Sequence, residues 1–138
     1  MTIQTIVRAA LDLQAQGLTP VPLLYKTKQP ALRWTELRVQ PPTSGQIINW
    51  FLHEPRNLGV LISHDLVVLD FDDRAAFNLW HEAHPLETLM VRTGRGVHVY
   101  LHCANAPLFT QKFLEGGDCK VTGLVTVPPS IHPSGAAY

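Results

Sequence analysis

Two aspartates at the end of an apolar run are the residues in this sequence best suited to chemistry. Asp70 and Asp72 follow the apolar residues 66–69 and enclose Phe71. In a β-strand, residues two apart face the same side and lie about 6.6–6.8 Å apart along the chain. Both carboxylates would therefore share one surface while Phe71 enters a core, and paired carboxylates can bind divalent metals. The alternative interpretation is a solvated strand end with two ordinary surface acids.

A glycine-rich turn leads directly into a strand of alternating polarity. Gly94, Arg95 and Gly96 form the turn, and its backbone N–H groups and guanidinium are suited to binding an anion. Alternation over residues 97–102 places three polar side chains on one face: His98, Tyr100 and His102. His98, the first of them, is placed to donate to a phosphate. The alternative is a polar strand face in water after a hairpin turn.

Two later segments carry further candidates. Asp118 follows two glycines, as a turn residue often does, but together with the earlier pair of aspartates it becomes a candidate third metal ligand. Lys120, two residues on, would share its face. Near the C-terminus, a proline-rich loop contains Ser130 and His132, and it is either a plain turn or one wall of a ligand site.

The composition excludes several classes of protein. The 138 residues are 46% hydrophobic and 16% charged, which is typical of a globular domain. Eleven basic and eleven acidic side chains cancel, so no global basic field indicates nucleic acid. Two cysteines cannot form a four-cysteine zinc site or a disulfide framework. His81 and His84 lack the spacing of the zinc-binding HExxH helix. No apolar run approaches a membrane-spanning length, and we expect a cytoplasmic protein that contacts no membrane.

The distribution of charge is more informative than its sum. Residues 1–60 contain six bases and three acids, whereas residues 61–118 contain four bases and eight acids. A basic half beside an acidic half suits a site that holds cations close to a polyanion. Lys26, Lys28 and Arg33 are the candidate nucleic-acid contacts in the basic half.

The hydrophobic pattern predicts an α+β fold, in which locally paired strands alternate with helices. The expected helices are one at the N-terminus ending near Gly17, a short one capped by Thr43 or Ser44, and one over residues 74–84. The expected strands are an edge strand at 21–24, a hairpin over 58–72, a strand at 97–101 and at least one within 120–127. We expect residues 1–138 to form a single catalytic domain of a longer protein, because the sequence stops just after a loop.

In combination, these segments resemble the bifunctional DNA primase/polymerase domain of the archaeo-eukaryotic primase superfamily. That family has an acid-x-acid motif on a strand, a small-x-His motif after a glycine-rich turn, and a third acid on a later strand. The matching segments are Asp70-Phe71-Asp72, Gly96-Val97-His98 and Asp118. Flanking matches are Lys28, Pro30 and Trp34, the NLGV segment at 57–60, and the PPSIH loop at 128–132. The small-x-His motif often begins with serine, so Gly96 implies a lost hydroxyl contact with only the backbone N–H left.

The resemblance implies template-directed transfer of nucleotides from NTP or dNTP to a 3′-hydroxyl on single-stranded DNA. Asp70, Asp72 and Asp118 would hold two Mg²⁺ or Mn²⁺ ions. His98 and the turn at residues 94–96 would contact the triphosphate. Further residues that would line the nucleotide pocket are Lys120, Ser130 and His132.

The resemblance also implies a fold and a biological context. The fold is an RRM-like antiparallel or mixed sheet with helices, joined to an N-terminal α/β module. The context is replication of a plasmid, a phage or another mobile element, with a helicase domain as partner.

Two other functions remain open at this point. Asp70 and Asp72 at a strand end also suit a haloacid-dehalogenase-type phosphatase, although Asp73 and Arg74 stand where such enzymes usually have glycine and threonine. The other is a nucleotide-binding or nucleic-acid-binding module of primase ancestry that catalyses weakly or not at all. Binding without incorporation would distinguish that module from an enzyme.

Overall fold

The structure, a computed structural model, describes residues 2–63, 65–105, 110–113 and 116–138. The chain divides into two compact units. Residues 1–61 together with 124–138 form the first unit, and residues 62–123 form the second. Among the residues so described, no helix is long and apolar enough to cross a membrane.

Helices and strands are mixed along the chain. The described α-helices are α1 (Ile3–Ala15), α2 (Ser44–Leu52) and α3 (Arg74–Ala83), and a 3-10 helix covers Thr35–Arg38. The described strands are β1 (Thr19–Leu24), β2 (Arg56–Leu61), β3 (Leu66–Phe71), β4 (Met90–Arg92), β5 (Val97–His102), β6 (Gln111–Phe113), β7 (Gly117–Lys120) and β8 (Leu124–Val127). The predicted α+β class is confirmed, while the RRM-like arrangement stays a prediction.

The first unit contains an antiparallel sheet in the order β1-β2-β8, so β1 lies at an edge as its prolines predict. Local sequence signals define both of its α-helices. The Thr43 side chain accepts from the Gln46 N–H, and the Gln46 side chain accepts from the Thr43 N–H, which completes a capping box. Gly17, with φ of 83°, follows the end of α1. Both helices contribute buried residues to the core: Ile6, Ala10, Ile47 and Phe51.

The second unit is an antiparallel sheet in the order β4-β5-β3-β7-β6, with α3 packed on one face. Asp73 caps α3, since its side chain accepts from the Ala76 N–H at 2.7 Å. Phe71 of β3 is buried on this face and packs edge-on against Phe77 of α3, with ring centroids 5.6 Å apart. Because side chains alternate along a strand, the neighbours of Phe71 project to the opposite face.

The predicted hairpin over residues 58–72 is wrong. Its two strands belong to different sheets, because β2 pairs with β1 and β8 whereas β3 pairs with β5 and β7. Each of these strands already has a hydrogen-bonded neighbour on both sides, which leaves no free edge for the other. Between them, the Ile62 N–H donates to the Gly123 carbonyl at 2.9 Å, and Asp65 has a positive φ of 65°.

Candidate active site

One row of side chains crosses three strands of the second unit. Asp70 of β3 lies directly opposite His98 of β5 on one side and Asp118 of β7 on the other. Directly opposite residues in antiparallel strands have Cα atoms about 4.5–5.5 Å apart, and their side chains share a face. Three of the candidate residues, from three distant parts of the sequence, are therefore neighbours.

The Asp70 carboxylate is bonded on both of its oxygens. Its Oδ1 lies 3.3 Å from His98 Nε2, and its Oδ2 lies 3.1 Å from Lys120 Nζ. Partial burial would raise the pKa of Asp70, but the hydrogen bonds and charges of His98 and Lys120 outweigh it and lower the pKa to about 2. Asp70 is consequently a carboxylate at any physiological pH.

Asp72 differs from Asp70 in its surroundings. It lies one residue beyond the end of β3, and its side chain is exposed. Its backbone N–H donates to the Gly116 carbonyl at 3.2 Å, which continues the pairing of the two chain segments past the last residue of the strand. Asp72 thus stands at the rim of the same sheet with its carboxylate in solvent.

The glycine-rich turn is held by its own threonine. The Thr93 N–H donates to the Gly96 carbonyl at 3.1 Å, and the Gly96 N–H donates to Thr93 Oγ1 at 3.0 Å. The Gly96 N–H is therefore used inside the turn rather than left for a nucleotide. Gly94 and Arg95 are exposed at its tip.

Gly96 is required by the approach of β3. A Cβ at this position would stand 1.8 Å from the carbonyl oxygen of Phe71 and 3.1 Å from the carbonyl carbon of Asp72. No side chain, serine included, fits that space without moving one strand. The glycine in place of the more frequent serine thus follows from backbone packing beside the aspartate pair.

Two buried polar atoms on the Asp70 face have no hydrogen-bond partner within the described part of the chain, and they are His98 Nδ1 and the Tyr100 hydroxyl. Tyr100 is only 3% exposed, and burial raises its pKa. Unpaired buried polar groups are rare in folded proteins and call for an explanation. The alternation of residues 97–102 predicts Tyr100 on the polar face, but no motif in the sequence distinguishes it from its neighbours as a functional residue.

The remaining cations of this face belong to β6 and β7. Lys112 lies directly opposite Asp118, with Nζ 3.5 Å from Oδ1, and its side chain is 87% exposed. Lys120 is only 31% exposed and contacts Asp70 rather than the aspartate on its own strand. Each of these two aspartates is thus paired with one lysine, and only the Lys120 pair is largely sheltered from water.

Ser130 and His132 lie in the first unit, where they stabilise the C-terminal loop. The Ser130 side chain is fully buried, accepts from the Leu58 N–H at 2.8 Å and donates to the Leu58 carbonyl at 3.1 Å. His132 Nδ1 lies 2.8 Å from the Ser134 hydroxyl. Both hydrogen bonds of the Ser130 hydroxyl are therefore made with β2, whereas the His132 side chain is partly exposed.

The three basic candidates Lys26, Lys28 and Arg33 are all exposed in the first unit. Lys26 has a positive φ of 58°, and a buried side chain holds the turn that carries it: Asn57 Nδ2 donates to the Thr27 carbonyl at 3.0 Å. The lysines therefore project from a fixed turn rather than from a loose loop.

Comparison with known families adds one decisive observation. The family model for the N-terminal domain of bifunctional DNA primase/polymerase matches residues 10–138, nearly the whole chain. The chain belongs to the bifunctional DNA primase/polymerase family. No curated protein matches the sequence of this primase/polymerase domain. Membership supports a primase/polymerase type of nucleotidyl transfer and implies DNA and nucleotides as substrates.

Primase/polymerases are generally metal-dependent. Carboxylate oxygens are the ligands that Mg²⁺ and Mn²⁺ prefer, and Asp70 and Asp118 approach from adjacent strands. Over residues 2–63, 65–105, 110–113 and 116–138, no three His, Cys, Asp or Glu side chains are grouped closely enough to hold an ion. The donor chemistry is present, but Asp70 and Asp118 are paired with lysines in this conformation.

Proposed function

We propose that this domain is a template-directed DNA primase/polymerase that joins NTP or dNTP to a 3′-hydroxyl, with Asp70, Asp72 and Asp118 as ligands of two Mg²⁺ or Mn²⁺ ions. The observation that carries the proposal is the register that sets Asp70 directly opposite both Asp118 and His98. When bound, the ions would align the 3′-hydroxyl with the α-phosphorus and offset the charge of the departing pyrophosphate.

The side chains around Asp70 have separate tasks in this proposal. Asp70 contributes an ionised carboxylate, since aspartate is deprotonated near neutral pH and His98 and Lys120 lower its pKa further. His98, only 8% exposed, is held at Asp70 through Nε2, and as an imidazolium it donates to the triphosphate through Nδ1. The exposed Gly94 and Arg95 add donors from the turn, while Gly96 allows β3 and β5 to approach closely.

In the same proposal, residues of the first unit bind the template and the nucleotide. Lys26, Lys28 and Arg33 contact phosphates of the single-stranded template. All three are exposed, and the two lysines lie on a fixed turn. His132, on the C-terminal loop of this unit, is a further nucleotide contact in the proposal. Ser130 anchors the loop that carries His132, because both hydrogen bonds of the Ser130 hydroxyl are made with the backbone of Leu58. The setting we propose is replication of a plasmid, a phage or another mobile element, with a helicase domain as partner.

One observation favours a second candidate, a binding module that does not catalyse. In the part of the chain that the structure describes, Asp70 and Asp118 are each paired with a lysine, and no three metal-ligating side chains are assembled. Such a module would bind nucleotide or DNA without incorporation. The haloacid-dehalogenase alternative has no such support, since the family match covers the aspartate pair.

The two candidates are separated by one assay. Single-stranded template and labelled dNTP or NTP are incubated with the protein and Mn²⁺, with and without a primer. We expect incorporation by the parent chain, loss of incorporation in Asp70→Asn, and parental activity in Glu82→Gln, a control acid that is exposed on α3. Retained DNA binding with no incorporation by the parent under any of these conditions would contradict the polymerase and leave the binding module.

A further inference from the structure

Lys120 is paired with one of the two carboxylate oxygens of Asp70. The ammonium lies 3.1 Å from Asp70 Oδ2, while Oδ1 is taken by His98. Both partners are sheltered, with 31% of the Lys120 side chain and 23% of the Asp70 side chain exposed. Fully solvated ion pairs contribute little to stability. The attraction between Lys120 and Asp70 is stronger than in such pairs, because both side chains are partly shielded from water.

This ion pair follows from the register of the sheet. Lys120 lies opposite Val68 on β7, two residues after Asp118, and Asp70 lies two residues after Val68 on the antiparallel strand β3. The lysine therefore reaches diagonally along one face from a strand that also carries a candidate metal ligand. The contact does not depend on a loop closing.

An ammonium and a divalent cation bound to the same Oδ2 would repel each other strongly, because like charges a few ångströms apart in a sheltered site are poorly screened. An ion that binds Asp70 must first break the Lys120 pair, and this cost weakens the binding of the ion. The released ammonium then needs another anion, and a triphosphate bound at the same face would supply one.

We propose that Lys120 is the resident counter-cation of Asp70, which a divalent ion must displace, so that metal binds weakly until a triphosphate accepts the released ammonium. The inference rests on the proposed function, since it assumes that Asp70 is a metal ligand. Linkage makes the coupling reciprocal, so metal and triphosphate strengthen each other's binding by the same factor. Lys120 thereby disfavours occupation of the site by metal alone.

The test measures Mn²⁺ binding without nucleotide, from the electron paramagnetic resonance signal of free Mn²⁺ as protein is added. Lys120→Gln removes the competing charge and leaves a side chain only one atom shorter than lysine. We expect this variant to bind Mn²⁺ about tenfold more tightly than the parent. Lys120→Arg keeps the charge and should keep the weak binding. Lys112→Gln is the matched control, because Lys112 also faces an aspartate of this row but is 87% exposed, and it should change Mn²⁺ affinity little.

Melting curves confirm which variants are folded, and Lys120→Met provides a second neutral variant. Equal or weaker Mn²⁺ binding in the folded neutral variants than in the parent would overturn the inference. Adding Asp70→Asn to the parent and to Lys120→Gln separates this failure from that of the proposed function. If Asp70→Asn weakens Mn²⁺ binding in both backgrounds but Lys120→Gln does not tighten it, only the inference fails. If Asp70→Asn changes Mn²⁺ binding in neither background, Asp70 holds no metal, and the inference and the proposed function fail together.

Discussion

Gly96 and Phe71 approach so closely that a Cβ on the glycine would stand 1.8 Å from the phenylalanine carbonyl oxygen. Gly96 precedes the strand of His98, and Phe71 separates Asp70 from Asp72. The backbone of the aspartate pair can therefore approach the start of the histidine strand this closely only with glycine at position 96.

Gly96→Ala should consequently destabilise the protein, because the added methyl group must displace a strand rather than a flexible side chain. We expect a loss of about 1–3 kcal/mol in the free energy of unfolding, measured by urea denaturation. Gly94→Ala in the same turn is the control, since a Cβ there meets nothing within 4 Å. Equal stability of the two variants would show that the close approach imposes no constraint.

A second prediction concerns the acid sensitivity of the fold. The pKa of Asp70 falls from 3.8 to about 2 on folding. The ionised carboxylate therefore stabilises the native state at any pH above 3.8, the pKa in the unfolded chain. That contribution, up to about 2 kcal/mol, is lost progressively as the pH falls from about 5 to about 1, through the pKa of the folded state. In metal-free buffer, Asp70→Asn should flatten the decline of unfolding free energy over this window. The exposed-acid variant Glu82→Gln should keep the parental slope, and an identical slope in Asp70→Asn would contradict the pairing with His98 and Lys120.

Contact between His98 and the triphosphate predicts a selective defect. His98→Ala should raise the nucleotide concentration needed for half-maximal incorporation by about ten- to a hundredfold, since charge-assisted contacts contribute roughly 1.5–3 kcal/mol. Template binding should stay close to parental. His102→Ala, an exposed histidine on the same strand face, is the matched control and should incorporate normally. Unchanged nucleotide titration of His98→Ala would remove His98 from the nucleotide pocket.

The exposed basic residues Lys26, Lys28 and Arg33 predict DNA binding that weakens as the salt concentration rises. Each phosphate contact on single-stranded DNA adds about 0.7 to the slope of log affinity against log salt. Lys28→Ala combined with Arg33→Ala should lower the magnitude of that slope by about 1.4, whereas Arg8→Ala on an exposed position of α1 should leave it unchanged. Fluorescence anisotropy with a labelled oligonucleotide over a salt series measures both. If the double variant keeps the parental slope, Lys28 and Arg33 do not contact phosphates of the template.

The sequence predicted those parts of the fold that depend on local signals. Thr43 or Ser44 is predicted to cap α2, and Thr43 does; Gly17 marks the end of α1, and the alternation of Asp70, Phe71 and Asp72 predicts which side chain enters the core. These features need only neighbours along the chain. The structure agrees with each of them.

What the sequence could not supply depends on partners far away in the chain. The hairpin over residues 58–72 failed because both strands are completed by segments that are distant in sequence. The burial of Ser130 depends on Leu58, and the need for glycine at 96 depends on Phe71. The Asp70–Lys120 pair likewise follows from register, which no local motif encodes.

The central claim is that Asp70 and Asp118, opposite each other on adjacent strands, hold metal for nucleotide transfer. The most direct measurement is the rate of incorporation by Asp118→Asn on a primed single-stranded template with Mn²⁺. Because the amide keeps the shape but loses the charge, we expect the rate to fall at least about a hundredfold, a loss of roughly 2.7 kcal/mol or more, with the melting temperature close to parental. Asp12→Asn on α1 is the control acid and should incorporate like the parent. Parental incorporation by a folded Asp118→Asn would contradict the account.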